Sequence, residues 1–121
     1  MEPKKKTKRL KALGHLKEAL QQYKEKPTDL CFLTVSKAFE NLIENEWRDF
    51  KKIVEEEGVE ASSPKAAIKE AARLKHITDP EVWLDCLEAR NNSVHDYFGI
   101  SEKEYVELAK KLLTLASSRE C

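Results

Sequence analysis

Apolar residues recur along this chain at steps of three and four, the spacing that puts them on one face of a helix. The first such stripe is Leu10, Leu13, Leu16, Leu20 and Tyr23, and it stops at Lys26-Pro27-Thr28-Asp29. That segment breaks a helix and supplies N-cap candidates for the next. A longer stripe follows: Phe32, Val35, Phe39, Leu42, Glu46, Phe50 and Ile53, with Gly58 suited to the residue just past the helix end. Ser63-Pro64 places a capping serine before a proline fit for the first helical position, opening a short Ala-rich helix through Leu74. Asp79-Pro80 repeats the device for a fourth helix, with Gly99 at its end. Ser101-x-x-Glu104 is a capping box for a fifth, which carries Tyr105, Leu108, Leu112 and Leu115. Short connections between long amphipathic helices predict an all-α fold. The expected architecture is an up-and-down antiparallel four-helix bundle of helices one, two, four and five, with the short third helix bridging two and four.

Composition narrows the class. The 121 residues are expected to form a single helical domain over 1–121, with 22 Lys+Arg balanced by 22 Asp+Glu. That balance excludes a uniformly basic nucleic-acid coat. Only 3 Gly and 4 Pro argue against a strand-and-turn fold. No apolar run approaches the roughly 18 residues of a membrane span, and the charged N-terminus is unlike a signal peptide, so a cytoplasmic protein with no membrane contact is expected. Cys31, Cys86 and Cys121 lack metal-ligand spacing. Cys31 and Cys86 read as small buried hydrophobes, and neither a metal nor a cofactor is expected. Locally the charge is uneven: in Met1 to Lys11, six cations face Glu2 alone, a net +5. This basic arm over residues 1–11 reads either as a solvated, frayed helix start or as an electrostatic arm for a polyanion.

The fourth helix breaks the core pattern. Its inward stripe would be Trp83, Leu87, Arg90, Val94 and Tyr97, and its neighbour Leu84, Glu88, Asn91, His95 and Phe98. Arg90, Asn91 and His95 therefore stand where apolar residues belong. An unpartnered guanidinium in a bundle core costs several kcal/mol. Either the cluster is satisfied internally, with Arg90 on Glu44, Glu46 or Glu88 and His95 on the last carbonyls of its helix, or it faces a cavity or partner. An arginine can grip phosphate oxygens bidentately and a histidine can move protons near neutral pH. Residues 90 and 95 point to different sides of a straight helix. A homodimer about a two-fold axis would bring both kinds of group into one cleft.

These residues resemble a known family. Arg90-Asn91-Asn92-Ser93-Val94-His95 matches the Arg-x4-His motif of HEPN domains, extended by Asp96-Tyr97 to the Arg-x4-His-x-Tyr form. Phe39-Glu40, Glu44 and Trp47-Arg48 are similar to the Phe-Glu-x3-Glu-x2-Trp-Lys signature of the nucleotidyltransferase substrate-binding-protein branch. Ser63-Pro64-Lys65 and the spacing from Trp83 to Arg90-Asn91 also fit that branch. Ser93-Val94 and Asp96 depart from it, replacing Thr-Ser and Thr.

The resemblance implies a dimerising helical bundle with facing motifs, acting as a metal-independent endoribonuclease toxin. Arg90, Asn91 and His95 would be catalytic: His95 as general base or acid, Arg90 on the charge of the phosphorane, Asn91 orienting phosphate or His95. Arg90, Asn91, Ser93 and His95 would contact RNA or nucleotide. The partner would be a minimal nucleotidyltransferase antitoxin able to place a nucleotide on Tyr97. A second reading is a non-catalytic subunit presenting substrate or nucleotide to that nucleotidyltransferase, and a third is a bundle whose polar cluster only pairs internally. His15 and His76 read as solvated, Trp47 and Trp83 as core anchors, and Glu40 and Glu44 as a solvated pair within reach of Arg48 or Arg90.

Overall fold

The computed structural model describes residues 4–93 and 101–119, with side chains over 8–91 and 101–119. Among them are five α-helices and no strand: α1 (Lys4–Glu25), α2 (Asp29–Glu56), α3 (Pro64–Arg73), α4 (Pro80–Ser93) and α5 (Glu102–Ser118). Three helix starts are capped as the sequence requires. Thr28 Oγ1 accepts from the Cys31 N–H at 3.1 Å, and Ser63 Oγ from the Ala66 N–H at 3.0 Å with Pro64 at the first helical position. Ser101 and Glu104 exchange both bonds of a capping box. Gly58 follows the α2 end at φ 84°, a left-handed conformation open to glycine without strain. The start of α4 differs from expectation. Asp79 sits at φ 54°, outside the extended region of a side-chain N-cap, so it contributes its carbonyl to the Val82 N–H at 3.0 Å. The expected end of the fourth helix at Gly99 lies outside the described residues.

α2 is the post against which everything packs. Its 28 residues span about 42 Å, and it meets α1, α3, α4 and α5. The direction of each neighbour follows from its contacts. Arg9 near the start of α1 reaches Glu46 late in α2, so α1 and α2 run antiparallel. Phe50 stacks edge-on against Trp83 at 4.9 Å, while Arg90 further along α4 reaches back to Glu44, so α4 is antiparallel to α2 as well. Phe32 and Phe39 pack on Tyr105 early in α5, and Glu46 binds Arg119 just past its end, so α5 runs parallel to α2 across the diagonal. The result is the expected up-down-up-down bundle, with α3 laid on α2 and α4. Trp83, Phe39, Phe50, Leu42, Ile43 and Leu112 are fully buried in it, each contributing about 1.5–3 kcal/mol of burial.

Individual stripes are rotated from the sequence expectation. On α1 the buried line is Arg9, Ala12, Leu16, Ala19 and Leu20, while Leu10 is exposed. On α2, Val54 replaces Ile53 in the core, and on α5 Val106, Ala109 and Ala116 are more enclosed than Leu108 or Leu115. Small residues lie at the tight seams and the leucines wedge beside them. Cys86 is buried, and its apolar surroundings push the thiol above its ordinary range. Cys31 is only half-buried, and Cys121 lies outside the described residues.

Glu46, in the middle of the α2 stripe, is completely buried. Its carboxylate accepts from Arg9 Nε at 2.5 Å and from Arg119 Nη1, and Arg119 Nη2 donates to Asp49 at 2.5 Å. The Arg119 guanidinium also lies over the Phe50 ring at 4.5 Å. Two cations meet two anions, so the cluster is neutral, and it ties α1, α2 and the end of α5 together. Arg9 thus leaves the solvated arm to which its sequence neighbourhood assigns it. At the opposite end of the bundle, the Tyr23 hydroxyl donates to Glu102 at 2.5 Å. The Glu102 carboxylate, with partial burial, raises the phenol above its ordinary value of 10.0.

Two outcomes check this account. Glu46→Leu strands two arginines on Asp49 and should cost about 3–5 kcal/mol in urea unfolding. Arg9→Met/Glu46→Leu/Arg119→Met should return to within about 1 kcal/mol of wild type, because the burial is then apolar. A triple variant as unstable as the single one would contradict the network account. For Tyr23, a raised native pKa means stability that is fully present below pH 10.0 and lost as pH rises through the native value. The stability gap between wild type and Tyr23→Phe should therefore persist at neutral pH and shrink in alkaline solution.

Candidate functional site

The seam between α2 and the end of described α4 holds the anomalous arginine. The turns of α2 place Glu44 and Arg48 four residues apart on one face. Antiparallel packing sets that face against Arg90. Glu44 Oε1 accepts from Arg90 Nη2 at 2.5 Å, while its Oε2 lies 3.2 Å from Arg48 Nη2. One carboxylate thus aligns two guanidinium groups from two helices. Arg90 Nη1 donates to Asn91 Oδ1 at 3.2 Å, fixing the amide so that its NH2 group is the end left to donate. Of the three carboxylates weighed for Arg90, the structure selects Glu44: Glu46 is engaged deeper in the core, and Glu88 is exposed on α4 itself.

The cluster is neither a buried ion pair nor a free surface. Arg90 is 38% exposed and Glu44 22%, and Arg48 projects outward at 68%. Solvent screens such a pair to well under the strength of the Glu46 network. Arg48 also stands 5.7 Å from the ring centre of the half-buried Trp47. The Trp47 indole N–H is buried without a hydrogen-bond partner among the described residues.

The sequence-predicted site residues fall into two groups. Arg90 and Asn91 are brought together, and Glu44 and Arg48 join them. Ser93 closes the described part of α4, with its side chain outside the described set, and His95 and Tyr97 lie outside the described residues altogether. The other two histidines stand elsewhere: His15 is exposed on α1, and His76 pairs with Glu57 beyond α2. Glu44 was legible as a partner, but its double role depends on the register between α2 and α4. The buried Arg9 could have been found by extending the α1 stripe back from Leu16 through Ala12 in steps of four and three. Among the described residues no three His, Cys, Asp or Glu side chains are grouped to hold a metal, and no helix is long and apolar enough to cross a membrane.

The all-α bundle is consistent with the HEPN-like class of helical subunits, whose family name ties them to nucleotidyltransferases. The family described as nucleotidyltransferase substrate binding protein like matches residues 6–117, so the chain belongs to that family. No curated protein matches it.

If Glu44 is what orients Arg90, Glu44→Ala should leave stability within about 1 kcal/mol of wild type, as for a part-exposed pair. The Arg90 side-chain N–H signal in a nitrogen–proton NMR spectrum should nonetheless move toward its random-coil position. An unmoved signal would show that other groups set the arginine.

Proposed function

We propose that this chain is a HEPN toxin-like subunit: a metal-independent endoribonuclease that acts as a homodimer and is neutralised by a cognate minimal nucleotidyltransferase. The observation that carries the reading is the guanidinium of Arg90, held by Glu44 on one side and joined to Asn91 on the other, at the end of α4 that leads into His95. Such a group is aligned before any ligand arrives, and aligned donors are what stabilise charge developing on phosphate. In the reaction the RNA 2′-oxygen attacks the adjacent phosphorus and the bond to the 5′-oxygen breaks, leaving a cyclic phosphate and a free 5′-hydroxyl. His95 takes the 2′-proton or returns one to the leaving oxygen. Arg90 stabilises the phosphorane, Asn91 orients the phosphate and Ser93 contacts it. On a straight helix positions five apart point to different sides, so a second copy is what completes the cleft. The nucleotidyltransferase silences it by joining Tyr97 oxygen to the α-phosphate of a nucleoside triphosphate with release of pyrophosphate. That places an anion where RNA phosphate must bind.

A second reading is supported by the family description: a non-catalytic subunit that holds substrate for the nucleotidyltransferase. The Arg90–Glu44 pair suits it too, since a guanidinium already sharing a carboxylate can hold an anion without turnover. Growth separates the two. Expression of the chain alone should arrest growth, and His95→Ala or Arg90→Ala should relieve the arrest at equal soluble yield. Intact mass after co-expression with the nucleotidyltransferase should rise by one or more nucleotides for wild type and stay unchanged for Tyr97→Phe. Normal growth with abundant soluble wild-type protein would assign the chain to the substrate-holding role.

A further inference from the structure

A second basic feature lies on the same molecule, away from Arg90 but connected to it. The start of described α1 and the last three turns of α2 enclose a cleft of about 570 Å³, lined by five cations: Lys8, Arg9, Arg48, Lys51 and Lys52. Three carboxylates share the lining, and three of the cations are themselves in ion pairs, Arg9 on Glu46, Arg48 on Glu44 and Lys51 on Glu55, so the exposed Lys8 and Lys52 carry the charge left over. Asp49 belongs to the Arg119 network, and Glu55 pairs with Lys51 at 2.6 Å, leaving Glu56 as the third. The floor is rigid, because Arg9 is nine-tenths buried and anchored on Glu46. Helix α1 also begins at Lys4, so Lys4, Lys5 and Lys6 continue the same helix immediately before Lys8. The cleft is thus the place where the locally basic N-terminal run meets α2.

Arg48 makes this more than a charged patch. It lines the cleft and also shares Glu44 with Arg90. On α2, positions 44, 48, 51 and 52 fall on one helical face at successive turns. Cations interspersed with the carboxylates Glu55 and Glu44 therefore lead from the arm, along the cleft, to Arg90.

We propose that this cleft is the track for the backbone of single-stranded RNA, delivering one phosphate of the strand to Arg90. Among the described residues no aromatic side chain lines it, so they offer no stacking platform for bases. Recognition there is by phosphate alone, independent of sequence and steeply dependent on salt. A mononucleotide is a poorer fit, because it would leave most of the cleft's cations unused. The inference rests on RNA as the ligand of the Arg90 site, but not on cleavage.

The test uses the full chain and a 2′-O-methyl-uridine 12-mer, whose blocked 2′-oxygen cannot attack phosphorus, so binding is read without turnover. Lys8→Gln/Lys52→Gln changes two exposed cleft residues outside the ion networks described above. Loss of two phosphate contacts should flatten the plot of log affinity against log salt by about 1.4, which corresponds to roughly 25-fold weaker binding at 0.1 M salt. Arg90→Ala should retain most of the salt slope while relieving growth arrest. An unchanged slope and affinity in the double lysine variant, with its fold intact by circular dichroism, would overturn the track. The same result accompanied by loss of complex with the nucleotidyltransferase would overturn it in favour of a protein-docking surface. If His95→Ala fails to relieve arrest while the lysine variant still weakens binding, the ribonuclease reading falls and the track stands.

Discussion

A carboxylate with no access to water has to be neutralised where it stands, and in this protein that requirement organises the bundle. Glu46 occupies a core position of α2, so its desolvation can be offset only by cations delivered from other elements. Those cations are Arg9 and Arg119, 37 and 73 residues away in sequence. Satisfying one side chain therefore fixes the start of α1 and the end of α5 against the same level of α2. Apolar packing supplies most of the stability but tolerates sliding of one helix along another. A buried, directional ion network tolerates little. Register along α2 is accordingly set at Glu46, and every contact further up the helix inherits it.

The Arg90 cluster is one such contact. Glu44 lies half a turn from Glu46, yet it faces α4 and remains partly open to solvent. The same helix thus carries two carboxylates with opposite tasks. One is sealed, doubly paired and neutral in sum, and it holds the fold. The other is accessible, shared between Arg48 and Arg90, and it presents cations to the outside. This division bears on the initial charge balance. A chain with equal numbers of acids and bases can still gather cations locally, because Glu46 and Asp49 are matched by Arg9 and Arg119 while Lys8 and Lys52 stay exposed beside α1. The cleft beside α1 gains its character in this way.

Much of the architecture was legible beforehand because its signals are local. Caps at Thr28, Ser63 and Ser101, the breaker at Pro27 and the glycine at 58 each act within a turn of where they sit. Asp79 gives no side-chain cap despite the Asp-Pro signal, because such a cap also needs an extended backbone and φ there is positive. On α1 the leucine spacing points to Leu10, which the structure leaves exposed. Ala12 and Ala19 pack inward since close helix approach favours small side chains over large ones at the seam. On the candidate site, Arg90 and Asn91 stood out as polar residues in an apolar stripe. Their partner could be narrowed only to three glutamates.

The sequence by itself therefore determined five helices, their order, their up-and-down arrangement and the family to which the chain belongs, all of which rest on periodicity, capping chemistry and ordered motifs. Only the tertiary structure decided that Arg9 and Arg119 close the bundle on Glu46, and that Glu44 is the carboxylate binding Arg90. The reason is physical. A helical period is a property of neighbouring residues, whereas an ion pair between distant ones exists only once packing has fixed the register and removed the water that would otherwise separate them.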